Sequence, residues 1–114
     1  MGFVACARVI APAPPTAAPA VERDTVLAGH PLAIAGKSAR VLQDNQYLTR
    51  RFGKDSTWGY QSSDKISVRV RYRQRGDSTL VRLEGWGRCD AHGCVRGDIE
   101  LLLAMIAQDE AAPQ

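Results

Sequence analysis

Between Ile66 and Arg88 two runs of alternating apolar and polar residues flank Gly76-Asp77, and this stretch leaves the chain little choice of local structure. Ile66, Val68, Val70 and Tyr72 recur with a period of two, with Ser67, Arg69, Arg71 and Arg73 in register with them. A strand sends successive side chains to opposite faces, so the pattern is that of a strand with one buried side. The second run sets Thr79, Val81, Leu83 and Gly85 against Leu80, Arg82, Glu84 and Trp86. A two-residue turn with glycine at its first central position supplies the unusual φ that such a connection demands. It would place Tyr72 opposite Val81, Val70 opposite Leu83, Val68 opposite Gly85 and Arg69 opposite Glu84. A slip of one residue would turn every valine to water, so the register is well determined.

The 114 residues suffice for one domain. Four of the six prolines lie between Pro12 and Pro19, in an Ala/Pro tract. They remove backbone donors and favour an extended chain, so residues 1–21 read as a signal-like start and linker, 22–110 as the domain and 111–114 as a frayed end. Within the domain Thr25-Val26-Leu27-Ala28 is β-prone and suits an edge strand ended by Gly29 and Pro31. Pro31 fits the first turn of a helix running to about Asn45, with Leu32, Ala35, Ala39 and Leu42 inward and Lys37, Arg40, Gln43 and Asp44 outward. Gly36 weakens that helix by about 1 kcal/mol unless another element packs closely on it. Residues 47–52 and 57–62 read as strands, the second carrying Trp58 and Tyr60 into a core under the helices, with a stacking surface for a base or sugar ring as the alternative. Asp98 is a candidate cap for a last helix bearing Leu101, Leu102, Met105 and Ile106. The expected fold is α+β: a small antiparallel sheet of about four strands with two helices packed on its Val68/Val70/Val81/Leu83 face. The other face would present Arg69, Arg71, Arg73, Arg82 and Trp86.

Gly85-Trp86-Gly87 strips side chains from one face of the second hairpin strand, as happens where another element approaches closely. Cys89 and Cys94 then bracket a loop containing Asp90 and Gly93, both turn formers, and a disulfide closing it would contribute about 2 kcal/mol. Such a bond persists only in an oxidising compartment. The competing reading is a metal site on Cys89, His92 and Cys94. Zinc wants a fourth ligand, however, and His30 is the only other histidine, so no metal or cofactor is expected. No nucleophile and base constellation stands out, and Asp90 and His92 are explained by turn chemistry, so no catalytic residue is assigned and the chain is read as non-enzymatic.

The charge is unevenly spread. Twelve arginines and three lysines give a formal net charge of +3, yet Lys65 to Arg96 holds eight of these basic residues against Asp77, Glu84 and Asp90. The arginine-rich strand face is either a solvated surface or a site for phosphate and anionic headgroups. Two Arg-Gly-Asp tripeptides, at 75–77 and 96–98, read as a hairpin turn and a helix cap.

Val4-Ala5-Cys6 and the Ala/Pro tract after it resemble the start of a bacterial envelope lipoprotein, in which a small apolar stretch closes on a lipid-bearing cysteine. Phe3 departs from that motif, which usually has leucine there. Five residues precede Cys6, fewer than a complete signal needs, so either the motif lies inside a longer signal or the match is accidental. The resemblance implies an acylated Cys6, membrane contact through that group alone, and a place on the periplasmic side of the outer membrane, a cytoplasmic chain being the alternative. It also agrees with a Cys89–Cys94 disulfide. The expected function is a binding or structural accessory domain of the cell envelope, whose partner is another envelope protein or an anionic surface. The alternative is binding of nucleic acid or another anionic polymer through the arginine face.

Overall fold

A computed structural model describes residues 17–52, 55–62, 65–87 and 94–108. Seven elements follow in order: β1 (Val21–Ala28), α1 (Pro31–Asp44), β2 (Leu48–Phe52), β3 (Ser56–Gln61), β4 (Ile66–Arg75), β5 (Ser78–Trp86) and α2 (Cys94–Ala107). The strands form one antiparallel sheet in the order β1-β5-β4-β3-β2. The class is therefore the α+β class that the sequence implies, with five strands where about four were expected. The extra length lies at the start: Val21, expected in the linker, opens an eight-residue β1 that pairs along β5 from Val21↔Gly85 to Ala28↔Ser78.

The central hairpin follows from its alternation. Tyr72 pairs with Val81, Val70 with Leu83, Val68 with Gly85 and Arg69 with Glu84, and Gly76 carries the positive φ of +58° at the first turn position. On one face Ile66, Val68, Val70, Val81 and Leu83 are fully buried. They share a single apolar cluster with Ile34, Ala35 and Leu42 of α1 and with Val95, Ile99, Leu102 and Ile106 of α2.

Close approach explains the glycines in the strands. A Cβ on Gly85 would lie 2.7 and 2.8 Å from two carbons of the Ile99 side chain, and one on Gly59 would lie 3.3 Å from Leu42 Cδ1. Glycine lets a helix side chain descend onto the sheet backbone at both places. Gly36, by contrast, is not a contact point: a Cβ there would meet only the Arg40 guanidinium, at 4.0 Å.

Both helices differ in detail from their expected faces. In α1 the buried residues are Ile34, Ala35, Ser38 and Leu42, while Leu32 is 56% exposed in the first turn. Ser38 tolerates burial because its hydroxyl donates to the Ile34 carbonyl at 2.8 Å, within its own helix. His30 caps α1, its Nδ1 accepting from the Leu32 amide at 3.1 Å. In α2 the helix opens at Cys94, so Asp98 sits inside it rather than at its cap and accepts from the Tyr47 hydroxyl at 2.9 Å. The buried stripe is Val95, Ile99, Leu102 and Ile106, and Leu101 is half exposed. None of the helices among the described residues is long and apolar enough to cross a membrane.

Candidate functional site on the arginine face

Alternation along the strands and the pairing between them define the second face in rows. Arg73 of β4 stands beside Leu80 of β5 and Val26 of β1; in the next row Ser56 of β3, Arg71, Arg82 and Asp24 line up; in the next, Arg50 of β2, Trp58, Arg69, Glu84 and Glu22; and in the last, Tyr60, Ser67 and Trp86. The expected anion-binding residues Arg69, Arg71, Arg73, Arg82 and Trp86 thus do share one face.

They do not share one environment. Trp86 was expected at the solvent surface and is instead buried, at 8% exposure. Trp58 was expected in the core beneath the helices, yet it pairs with Arg69 on the opposite face and is fully buried there against Trp86. The two rings lie 5.8 Å apart at 59°, a tilted arrangement within the favourable range for aromatic pairs. Tyr60 packs against them. The Trp86 indole Nε1 donates to the Ala17 carbonyl at 2.8 Å, and the Ala20 amide donates to the Gly85 carbonyl at 2.8 Å. The end of the Ala/Pro tract is thereby held on the sheet beside Trp86. The Trp58 Nε1 is buried with no acceptor among the described residues.

Arg69 joins this aromatic patch to the charged rows. Its guanidinium lies 5.3 Å from the centre of the Trp86 ring, within cation–π range, and its Nε donates to Glu84 Oε1 at 2.7 Å. Glu84 is 5% exposed and is shared with Arg71, whose Nε is 3.4 Å from the same oxygen. A carboxylate buried so deeply needs such partners, because an unpaired buried charge is costly. Arg82 makes a two-pronged contact with Asp24, at 2.8 and 3.2 Å. That hydrogen bond, helped by the nearby positive charge, holds the Asp24 carboxyl below its usual value and raises Arg82 above its own. Both side chains are more than 40% exposed, so solvent screens the pair and its contribution to stability is small.

Beyond the paired groups the face opens into a depression of about 590 Å³ lined by Arg69, Arg71, Arg73, Arg82, Ser56 and Leu80, with Asp55 the one acid in its wall among the described residues. Four arginines reach this space, while among the described residues Glu84 and Asp24 are the two carboxylates that bond them. The arrangement suits recognition of an anion.

Of the other sequence candidates, Cys94 opens α2 at the surface, and Cys6, Cys89, Asp90 and His92 lie outside the described residues. His30 is engaged as the α1 cap and is not near that loop in sequence. Among the described residues no three His, Cys, Asp or Glu side chains gather as a metal site would require.

The position of Trp58 had a signal in the sequence that alternation alone does not convey. Trp58-Gly59-Tyr60 and Gly85-Trp86-Gly87 both interleave glycine with aromatics, and at Gly59 and Gly85 the glycine is the inward residue, under Leu42 and Ile99. Where glycine is forced inward by a helix, its aromatic neighbours must face the other way.

The chain matches no protein-family model and no curated protein.

Proposed function

We propose that this chain is a non-enzymatic binding domain of the bacterial cell envelope that engages an anionic partner through the Arg71/Arg73/Arg82 face. In this reading both helices cover the Val68/Val70/Val81/Leu83 face and leave the arginine face to the partner. The observation that carries it is the open depression in which, among the described residues, arginines outnumber the carboxylates bonded to them. An Arg-lined concavity raises the local concentration of anions and speeds their association.

The envelope location rests on the resemblance of Val4-Ala5-Cys6 to a lipoprotein start, on the Ala/Pro spacer and on a Cys89–Cys94 disulfide, all three belonging to the proposal. The hydrogen bonds from Trp86 to Ala17 and from Ala20 to Gly85 support a tethered arrangement, because they make the spacer leave the domain at the Trp86 end of the sheet. A row-to-row rise of about 6.6 Å for every second residue puts Arg73 roughly 20 Å further along β4 than Ser67, which neighbours Trp86. The exposed Arg73 would then lie away from the anchor, toward a partner across the intervening space.

Two measurements test this reading. Protein made with its native upstream sequence should carry lipid on Cys6 by mass spectrometry, and an intact unmodified Met1 removes the tether. The purified domain should be retained on heparin, with retention falling steeply as salt rises; passage through at low salt removes the anion-binding function.

A further inference from the structure

Arg71 and Arg82 are direct cross-strand partners in the β4–β5 hairpin, and Arg73 lies on the same face one row away. Like charges placed directly opposite each other across a sheet are destabilising unless something lies between them. What the chain supplies is incomplete. Glu84 is 2.7 Å from Arg69 but 3.4 Å from Arg71, so it serves Arg69 first. Asp24 takes Nε and Nη2 of Arg82, and the remaining nitrogen has no carboxylate partner among the described residues. Arg73 is exposed and has no carboxylate partner among the described residues.

The missing counter-charge has a definable shape. Arg71, Arg73 and Arg82 line one open depression of about 590 Å³ together with Arg69, which is bound to Glu84, and with Asp55, and its size is within the range of small-molecule sites. A carboxylate has two oxygens and one charge and would satisfy a single fork. A phosphoryl group offers three or more acceptor oxygens and up to two charges, and planar guanidinium forks match its edges two bonds at a time. Leu80, between Arg73 and Val26 in its row, gives the depression an apolar patch for the carbon to which a phosphate is esterified.

We infer that Arg71, Arg73 and Arg82 form a site for one phosphoryl group, carried on a phosphate ester. This rests on the anion-binding reading above and narrows it to a ligand class. The arginines donate to the phosphoryl oxygens, Asp24 and Glu84 hold the flanking forks in place, and no bond is made or broken.

The test uses the folded chain, with the guanidinium Nε–H signals followed by NMR as inorganic phosphate is added against sodium chloride of equal ionic strength. The signals of Arg71, Arg73 and Arg82 should move together and saturate with phosphate only. Arg73→Gln should weaken binding about tenfold, the loss of one charge-assisted contact. Arg96→Gln, at an exposed position on α2, should leave it unchanged. Equal shifts with chloride, or full-strength phosphate binding by Arg73→Gln, overturn the site; an unchanged melting temperature in Arg73→Gln establishes that its loss of binding is local. A second arm adds phosphatidylcholine vesicles with and without phosphatidylglycerol. Binding confined to the phosphatidylglycerol vesicles supports the site with a lipid headgroup as the source, and phosphate binding without vesicle binding supports it with a soluble ester. Retention on heparin through Arg71 and Arg73 with no response to phosphate overturns the ligand class and leaves the broader anion-binding function standing, whereas no retention overturns both.

Discussion

The two faces of the sheet are built from the same strands, residue by residue in alternation, and hold together by different physics. The valine face is dry: Val68, Val70, Val81 and Leu83 are fully buried with Ile99 and Leu42, and its cohesion is apolar burial at about 25 cal/mol per Å². The arginine face is a graded surface, from an aromatic pair at the Trp86 end, through a buried carboxylate shared by two arginines, to exposed cations near the turn. The first face is closed to a ligand by burial, and the second carries, beyond the pairs around Glu84 and Asp24, the exposed charge of Arg73. The lesson is that stability and recognition are separable here by the period of two along β4 and β5.

That separation can be broken from the dry side with the largest effect. Leu102→Ala, which empties a fully enclosed position in α2, should cost about 2–5 kcal/mol in denaturant unfolding and leave anion binding of the remaining folded protein intact. Gly85→Ala should cost about 1–3 kcal/mol by the same measurement, because its Cβ would collide with a buried Ile99 that has nowhere to move. Trp86→Phe probes the boundary between the faces. It removes the hydrogen bond to Ala17, so stability should fall by about 1 kcal/mol for that contact and amide exchange at Ala20 should quicken.

Acid gives the smallest change. Folding lowers the pKa of Asp24, so its contribution is fully present above the unfolded value near 3.8 and is lost as pH falls through the lower folded value. Acid unfolding curves of the parent and of Asp24→Asn should therefore differ slightly above pH 4 and converge below the folded value, with β1 and β5 losing their outer link.

Much of this could be read from the sequence, and what could not has identifiable causes. The β4–β5 hairpin was legible residue for residue because alternation, a turn glycine and burial on one side agree. The full length of the first strand was not, since Val21-Glu22-Arg23-Asp24 carries three charges and its pairing with β5 depends on contacts distant in sequence, such as Arg82 to Asp24 and Arg23 to Glu100. The inner face of α1 was misread at Leu32 and Ser38. A leucine in the first turn can overhang the core, and a serine can be buried once its hydroxyl bonds its own helix. Period two placed Trp58 and Tyr60 together and left open which side they face, a choice made by Gly59 beneath Leu42. On the candidate site, the arginines were found by alternation; the division between Arg69, bound to Glu84 and stacked on Trp86, and Arg73, with no carboxylate partner among the described residues, required coordinates.

The separation of the faces is tested most directly by the salt concentration that elutes the double variant Arg71→Gln/Arg73→Gln from heparin, measured beside its melting temperature. The variant should leave the column at markedly lower salt than the parent and stay folded, losing about 1 kcal/mol or less of stability, because Arg73 is exposed and Arg71 is the more distant of the two partners of Glu84. Elution at the parent's salt concentration would contradict the account, and so would a variant that binds less only because it has unfolded.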